Sequence, residues 1–336
     1  IDPFGSKYDI TSDSKTIKEL YSDFSNEELE EKDIEVSVAG RIMTKRGKGK
    51  AGFMHIQDKY GQIQIYVRQD AISEDDFLTY SKSDIGDIIG IVGEVMITNT
   101  GEVSVKALQF VHLSKALRPL PEKFHGLQDR EEARRRRYVD LIMNEQSKKV
   151  AFMRPQIVRS LQRYMDNRGF VEVETSMLHP ILGGANARPF VTHYNALDND
   201  FYLRIATELP LKKLIVGGME AVYEIGRQFR NEGMDSTHNP EFTTMEAYLA
   251  YSDMYGMMDL VEEAFQYIAN EVLGTTDIEY QGNTIHLGGK YKRIHMVDAI
   301  KEITGINFFE INSLEECLKL AKEHEIEVAK HEESYG

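Results

Sequence analysis

The sequence predicts an α+β protein made of two unlike halves, and three features of the chain lead there. Residues 34–113 alternate apolar and polar side chains in short runs, the period of strands with one buried face. From residue 147 onward the apolar positions recur at helical spacing instead. Residues 226–248 then set two strand-like runs on either side of a long polar stretch, the pattern of a hairpin with an extended tip.

Residues 1–33 are polar and read as an irregular lead-in with one short helix; the start at Ile1 rather than Met implies that the chain began earlier. The barrel half is 34–114. Ile34, Val36 and Val38 alternate until Gly40 interrupts. Met54 and Ile56 follow, then Ile63, Ile65 and Val67. A polar helical piece covers about 71–80, and residues 89–97 and 103–111 form a hairpin around Asn99-Thr100-Gly101. Five strands with a helix between the third and fourth is the order of an OB barrel. With the apolar sets facing inward, Phe53, Gln64 and Glu102 point outward, beside the basic loop Gly47-Lys48-Gly49-Lys50. An outward ring next to a basic loop fits a base-stacking platform for single-stranded nucleic acid. The loop lacks the spacing of a phosphate loop and reads as a mobile basic segment.

Residues 115–145 are a linker, with Pro119 and Pro121 stiffening the barrel exit and Arg134 to Arg137 partnered by Glu131, Glu132 and Asp140. A second domain spans 146–336. Val150, Met153, Ile157, Leu161 and Tyr164 mark a helix over 147–168; Pro155 should start or kink it and Gly169 should end it. A strand over 170–174, the tight loop Gly183-Gly184-Ala185, a strand over 201–205 and a helix opening near Thr207-Glu208 come next. Beyond the hairpin, Met254, Met257, Met258, Val261, Phe265 and Ile268 predict a helix whose methionine stripe faces the core. Residues 278–336 read as an inserted α/β segment.

Composition bounds the function. The 336 residues are 41% hydrophobic and 28% charged, ordinary for a globular protein, and no apolar run approaches the ~18 residues of a membrane span. A single cysteine, Cys317, excludes an internal disulfide and a cysteine zinc cluster and fits a reducing cytoplasm. The net charge of −15 argues against nucleic acid, yet it is unevenly spread. Residues 41–50 carry five basic side chains and no acid, whereas 310–336 carry eight glutamates against three lysines. Contact with nucleic acid is therefore expected in the first half only.

The hairpin is the chemical centre. Alternation puts Phe242, Thr244, Glu246 and Tyr248 on one face of its second strand and Gln228, Arg230 and Glu232 on one face of its first. Two carboxylates, a guanidinium and two rings are too polar for a core. They suit a ligand with a phosphate, an aromatic base and an ammonium. The plain alternative is an exposed hairpin with solvated charges.

These residues resemble class II aminoacyl-tRNA synthetases, and within them the lysyl enzymes of the bacterial and eukaryotic type. Phe229-Arg230-Asn231-Glu232 followed by His238-Asn239-Pro240-Glu241-Phe242 is similar to the second class motif, and Arg168-Gly169-Phe170 with Glu172-Val173-Glu174-Thr175 to the first. The resemblance implies an antiparallel-sheet catalytic domain behind an anticodon-binding OB domain. It implies ATP and Mg²⁺ as cofactors, L-lysine and tRNA(Lys) as partners, a cytoplasmic homodimer formed through helix 147–168, and no membrane contact. Arg230 would be the catalytic group, holding the α-phosphate and the lysine carboxylate. Glu232, His238, Asn239 and Phe242 would complete the ATP site. Gly184, Glu208, Glu246 and Tyr248 would join Arg230 around lysine, and Arg41, Phe53, Gln64 and Glu102 would bind the anticodon. Two carboxylates, Glu208 and Glu246, favour an ammonium over an acidic substrate.

The sequence departs from the family pattern in three places. Ser176 stands where the first motif usually has Pro, Pro155 lies inside its helix, and nothing resembles the third motif. The catalytic domain is thus expected to be incomplete, with the Mg²⁺ ligands and the far side of the lysine pocket beyond Gly336 and negligible aminoacylation by this polypeptide alone. Competing readings are an asparaginyl or aspartyl enzyme of the same subgroup and a non-catalytic tRNA-binding relative.

Overall fold

The computed structural model describes residues 7–328 except Lys48, 122–128 and Ser236. Lys48 of the basic loop, the start at Ile1 and the last glutamates of the acidic stretch lie outside the described residues. The chain divides into two units, 1–148 and 149–336.

Unit 1 begins with two helices where the sequence predicts one. Asp13 caps α1 (Ser14–Tyr21) by accepting from the Lys15 and Thr16 amides, and Ser25 with Glu28 makes a full capping box on α2 (Asn26–Lys32). Neither helix is an irregular lead-in. Ile17 is fully buried and Leu29 nearly so, and both belong to the barrel core. The Ser14 amide donates to Asp58 Oδ2 at 2.6 Å, tying α1 to the turn after the second strand.

The barrel strands are β1 (Glu35–Arg46), β2 (Ala51–Gln57), β3 (Gln62–Arg68), β4 (Ile88–Ile97) and β5 (Val103–Ser114), with α3 (Glu74–Lys82) between β3 and β4. They close in the order β1-β2-β3-β5-β4, with β3 and β5 parallel and the other pairs antiparallel. Ile42, Met54, Ile65, Ile89, Ile91 and Val105 fill the interior. Gly40 does not interrupt β1 as expected. The strand runs through it, and a Cβ there would meet the Gln57 carbonyl oxygen at 2.8 Å, so the glycine serves close strand approach. After the barrel, α4 (Arg130–Arg135) and α5 (Arg137–Met143) carry the arginine run. Arg136 pairs with Glu132 at 2.8 Å and Arg137 with Asp140 at 2.5 Å.

Unit 2 is led by α6 (Glu145–Asn167), unbroken across Pro155. The helix neither starts nor stops at the proline; it ends where Gly169, at φ 81°, lets the Phe170 amide reach back to the Met165 carbonyl. The strand expected over 170–174 shrinks to β6 (Val171–Glu172). A small sheet of β7 (Leu178–His179), β8 (Val191–Tyr194) and β9 (Asn199–Leu203) follows, and then α7 (Glu208–Val216). The hairpin is β10 (Ala221–Phe229) and β11 (Glu241–Leu249), with β6 parallel to β10 on its other side.

Helix α8 (Met254–Leu273) corrects one expectation. Leu260, Ala264 and Met257 pack inward, while Met254, Met258, Val261 and Phe265 are exposed. The small alanines let the helix lie close to Tyr164, and the bulkier stripe is turned away. The segment after it holds β12 (Asp277–Tyr280), β13 (Asn283–His286), α9 (Met296–Thr304), a 3₁₀ turn (Phe308–Glu310) and α10 (Leu314–Glu323). Among the described residues no helix is long and apolar enough to cross a membrane.

Candidate active site

The hairpin register decides which side chains meet. Gln228 stands opposite Phe242, Gly226 opposite Thr244, Glu224 opposite Glu246 and Val222 opposite Tyr248. Side chains of paired residues share a face. Arg230, just past β10, is anchored by its amide to the Pro240 carbonyl at 2.9 Å. Its guanidinium lies 5.2 Å from the centroid of the Phe242 ring, and its Nη2 donates to the Ile205 carbonyl at 3.5 Å. Its Nε is buried without a partner, as are both amide atoms of Gln228 and the hydroxyls of Thr207 and Thr244. A wall with this many unspent donors and acceptors is built to meet a polar ligand.

Arg230, Glu232, His238, Asn239 and Phe242 line one cavity of about 480 Å³, together with Gly233, Met234, Asp235 and Thr237. The whole set anticipated for ATP is thus in one place. Glu232 is steadied by the Arg188 amide at 3.3 Å. Asp235, a tip residue to which the sequence assigns no role, organises the loop. It accepts from the Thr237 and His238 amides, both at 2.7 Å, and from the His238 ring at 2.8 Å. These bonds, the Thr237 amide first, hold its carboxyl well below the usual carboxylate range. They also leave His238 with its Nδ1 engaged, and the residue lines the cavity.

The residues anticipated for the amino acid gather at the other end of the wall. Gly184 has φ 86°, and a Cβ on it would lie 2.9 Å from the Glu208 Cβ. Glu246 Oε1 accepts from the Thr207 amide at 3.0 Å, and its other oxygen accepts from the Tyr248 hydroxyl at 3.4 Å. Burial, with the Glu246 and Glu208 carboxylates adding to it, pushes the Tyr248 phenol up to about 12, so it stays a neutral donor. The Lys212 ammonium sits 2.5 Å from Glu208 Oε1 and 5.8 Å from the centre of the Tyr248 ring. An ammonium is therefore already accommodated between an acid and an aromatic face.

In unit 1, Phe53 stacks on Tyr66 with centroids 4.6 Å apart, and the next pair on that face is His55 and Gln64. Gln64 does not point freely outward as expected. It is 4% exposed, because Glu102 folds over it: Gln64 Nε2 donates to Glu102 Oε2 at 2.7 Å, and Gln64 Oε1 accepts from Ser104 at 3.0 Å. His55 holds the other Glu102 oxygen at 2.9 Å. Arg41 is set apart from this group: its Nη1 donates to the Gly86 carbonyl at 2.8 Å, toward the β4 side of β1. Tyr66 and His55 were missed by the sequence reading, although Tyr66 stands two places beyond Gln64 on the strand already read as alternating.

Among the described residues no group of three or more His, Cys, Asp or Glu could hold a metal ion. The Mg²⁺ anticipated from the resemblance has no cradle there.

Comparison with known proteins gives the family. Residues 129–333 match the family described as tRNA synthetases class II (D, K and N), and residues 36–113 match the OB-fold nucleic acid binding domain. A lysine–tRNA ligase of Lactococcus lactis subsp. cremoris is 56% identical over 336 residues, all of this chain and 68% of the relative. A lysine–tRNA ligase of Staphylococcus aureus is 57% identical over 330 residues, 98% of this chain and 67% of the relative. The chain belongs to the class II tRNA synthetases of the D, K and N group.

Proposed function

We propose that the chain serves lysine–tRNA ligation, in which L-lysine is activated with ATP to lysyl-adenylate and the lysyl group is passed to the 3′ end of tRNA(Lys), in the cytoplasm. The observation that carries the lysine reading is that the Glu208 and Glu246 carboxylates both act on the Tyr248 phenol, and that Glu208 already holds an ammonium, that of Lys212, at 2.5 Å beside this ring. An aspartyl enzyme needs the opposite charge there.

Activation needs no acid–base side chain. The lysine carboxylate oxygen attacks the α-phosphorus, the bond to the β-phosphate oxygen breaks, and pyrophosphate leaves with that electron pair. Arg230 bridges both reactants. Its forked guanidinium neutralises charge on the α-phosphate and holds the attacking carboxylate, so positioning and charge act together. Phe242 stacks on the adenine, Glu232 accepts from its amino group, and His238 and Asn239 lie on the cavity rim toward the phosphates. Gly184, Glu208, Glu246 and Tyr248 orient lysine so that its carboxylate faces Arg230. A ribose hydroxyl of the tRNA then attacks the acyl carbon and releases AMP. Family membership implies Mg²⁺ as well, which would share the neutralisation of phosphate charge with Arg230.

For the anticodon we assign Phe53 as a stacking ring backed by Tyr66, with Glu102 presenting an acceptor to a base edge and the buried Gln64 holding Glu102 in place; Arg41 would serve the backbone. A homodimer would place a second copy on α6, where Val150, Met153, Ile157, Leu161 and Met245 line an apolar cavity of about 310 Å³. Light scattering tests that point. The test of substrate choice is ATP–pyrophosphate exchange with lysine, asparagine and aspartate. Stimulation by lysine alone is expected; stimulation by aspartate and not lysine would overturn the reading.

A further inference from the structure

We infer that the buried pair Arg204–Glu224 positions Arg230, and that Arg204, Glu224, Thr175 and Gly226 are together part of the activation machinery without touching substrate. Arg204 is 1% exposed and Glu224 3% exposed. Arg204 Nη1 is bonded to Glu224 Oε1. The other Glu224 oxygen accepts from the Thr175 hydroxyl at 2.7 Å and the Thr175 amide at 3.2 Å.

Arg204 grips β10 twice, just before Arg230. Its Nε donates to the Arg227 carbonyl at 2.8 Å, and its own carbonyl accepts from the Phe229 amide at 3.0 Å. Its neighbour Ile205 supplies the carbonyl that the Arg230 guanidinium touches. Both the backbone leading into Arg230 and a contact of its side chain are thus set by residues 204 and 205. Gly226 belongs to the same device: a Cβ there would lie 2.1 Å from Arg204 Nη2, so only glycine lets the guanidinium lie across the strand. Stability does not call for this arrangement. A buried ion pair is costly to desolvate, and an apolar replacement of the same volume is often as stable or more so. What the charged pair supplies is a fixed direction for the strand end.

This inference rests on Arg230 being the charge-neutralising group, and the experiment separates the two. In the intact protein, ATP–pyrophosphate exchange is measured for Arg230→Ala, Arg204→Lys, Thr175→Ala and Gly226→Ala, and for Arg204→Lys on the Arg230→Ala background. Thermal unfolding and binding of an anticodon stem-loop RNA report folding. Arg204→Lys is expected to lower kcat on the order of 10- to 100-fold, the effect of misplacing a catalytic group by about 1 Å, while RNA binding is unchanged. Gly226→Ala should do the same with no change of charge, and Thr175→Ala to a smaller extent. Coupling is decisive: on the Arg230→Ala background Arg204→Lys should cost less than about 2-fold, since there is no longer an arginine to place. If folded Arg204→Lys or Gly226→Ala exchanges at the wild-type rate, or if the losses multiply independently, the positioning role is wrong. If Arg204→Lys does not fold, Gly226→Ala and Thr175→Ala decide by the same criteria. Should Arg230→Ala itself exchange normally, the underlying assignment fails instead.

Discussion

The barrel and the hairpin are both β-structure, yet they spend their interiors differently. The barrel's packed core is mainly aliphatic, with Ile42, Met54, Ile65, Ile89, Ile91 and Val105 at most 1% exposed, and the polar groups buried in that unit, Gln64, Asp87 and Ser104 among them, are short or uncharged. The hairpin unit buries Arg204, Glu224, Gln228 and Thr207 at 1–3% exposure alongside Tyr223 and Leu211. An interior of the first kind holds shape by packing and leaves recognition to the outside of the strands. An interior of the second kind gives up stability for direction, because each buried polar group has to be aimed. The comparison says where damage should appear: as lost stability in the first unit and as lost rate in the second.

Four outcomes would break or sharpen that contrast. Arg230→Ala should reduce ATP–pyrophosphate exchange by roughly 10²- to 10³-fold, the size of one lost charge-stabilising donor, while the unfolding midpoint hardly moves. A large drop in stability with an intact rate would erase the distinction. Ile65→Ala, at a fully buried barrel position, should destabilise unit 1 by about 2–5 kcal/mol in denaturant unfolding and leave the exchange rate per folded molecule unchanged. Phe53→Ala should weaken stem-loop RNA binding by about 1–3 kcal/mol, the worth of one stacked base, with normal exchange. Within this third outcome Tyr66→Ala serves as the graded control and should weaken binding less, because Tyr66 acts by backing Phe53.

The fourth outcome is the smallest and concerns alkaline pH. The Tyr248 phenol is raised above its ordinary value of 10.0, so its contribution is complete below pH 10 and is lost as pH rises toward about 12. Tyr248→Phe should flatten the unfolding midpoint across that window. An unchanged alkaline slope would show that burial beside Glu246 does not act on this group.

The barrel was legible because its signal is local. Alternation of Val36, Val38, Ile63, Ile65 and Val67 names both the strands and their inward face. The hairpin wall was legible for the same reason, since a period of two places Phe242, Thr244, Glu246 and Tyr248 together. What escaped depends on contacts between distant segments. Gln64 read as outward-facing because nothing near it foretells that Glu102, in the turn before β5, closes over it at 2.7 Å. Arg204 left one trace, a charge inside the apolar run Phe201-Tyr202-Leu203-Arg204-Ile205, but its partner is 20 residues on, across a helix. The methionine stripe of α8 misled because periodicity identifies two faces and not which one is covered. The smaller Leu260 and Ala264 face won contact with Tyr164 and Met165.

The closure of the barrel has a consequence for how the chain is born. Its first strand, β1, pairs with β4 as well as β2, so Glu35 waits for Glu94. The last seam, β3 against β5, joins Gln64 to Ser104. At roughly 5–20 residues per second on the ribosome, the α1 segment with Ile17 is out for seconds before the interior it enters can exist. The nascent barrel therefore passes through a stage in which its first strands are made and its edge is open. Once Ser114 emerges it can close as a unit, while the hairpin beginning at Ala221 is still unwritten.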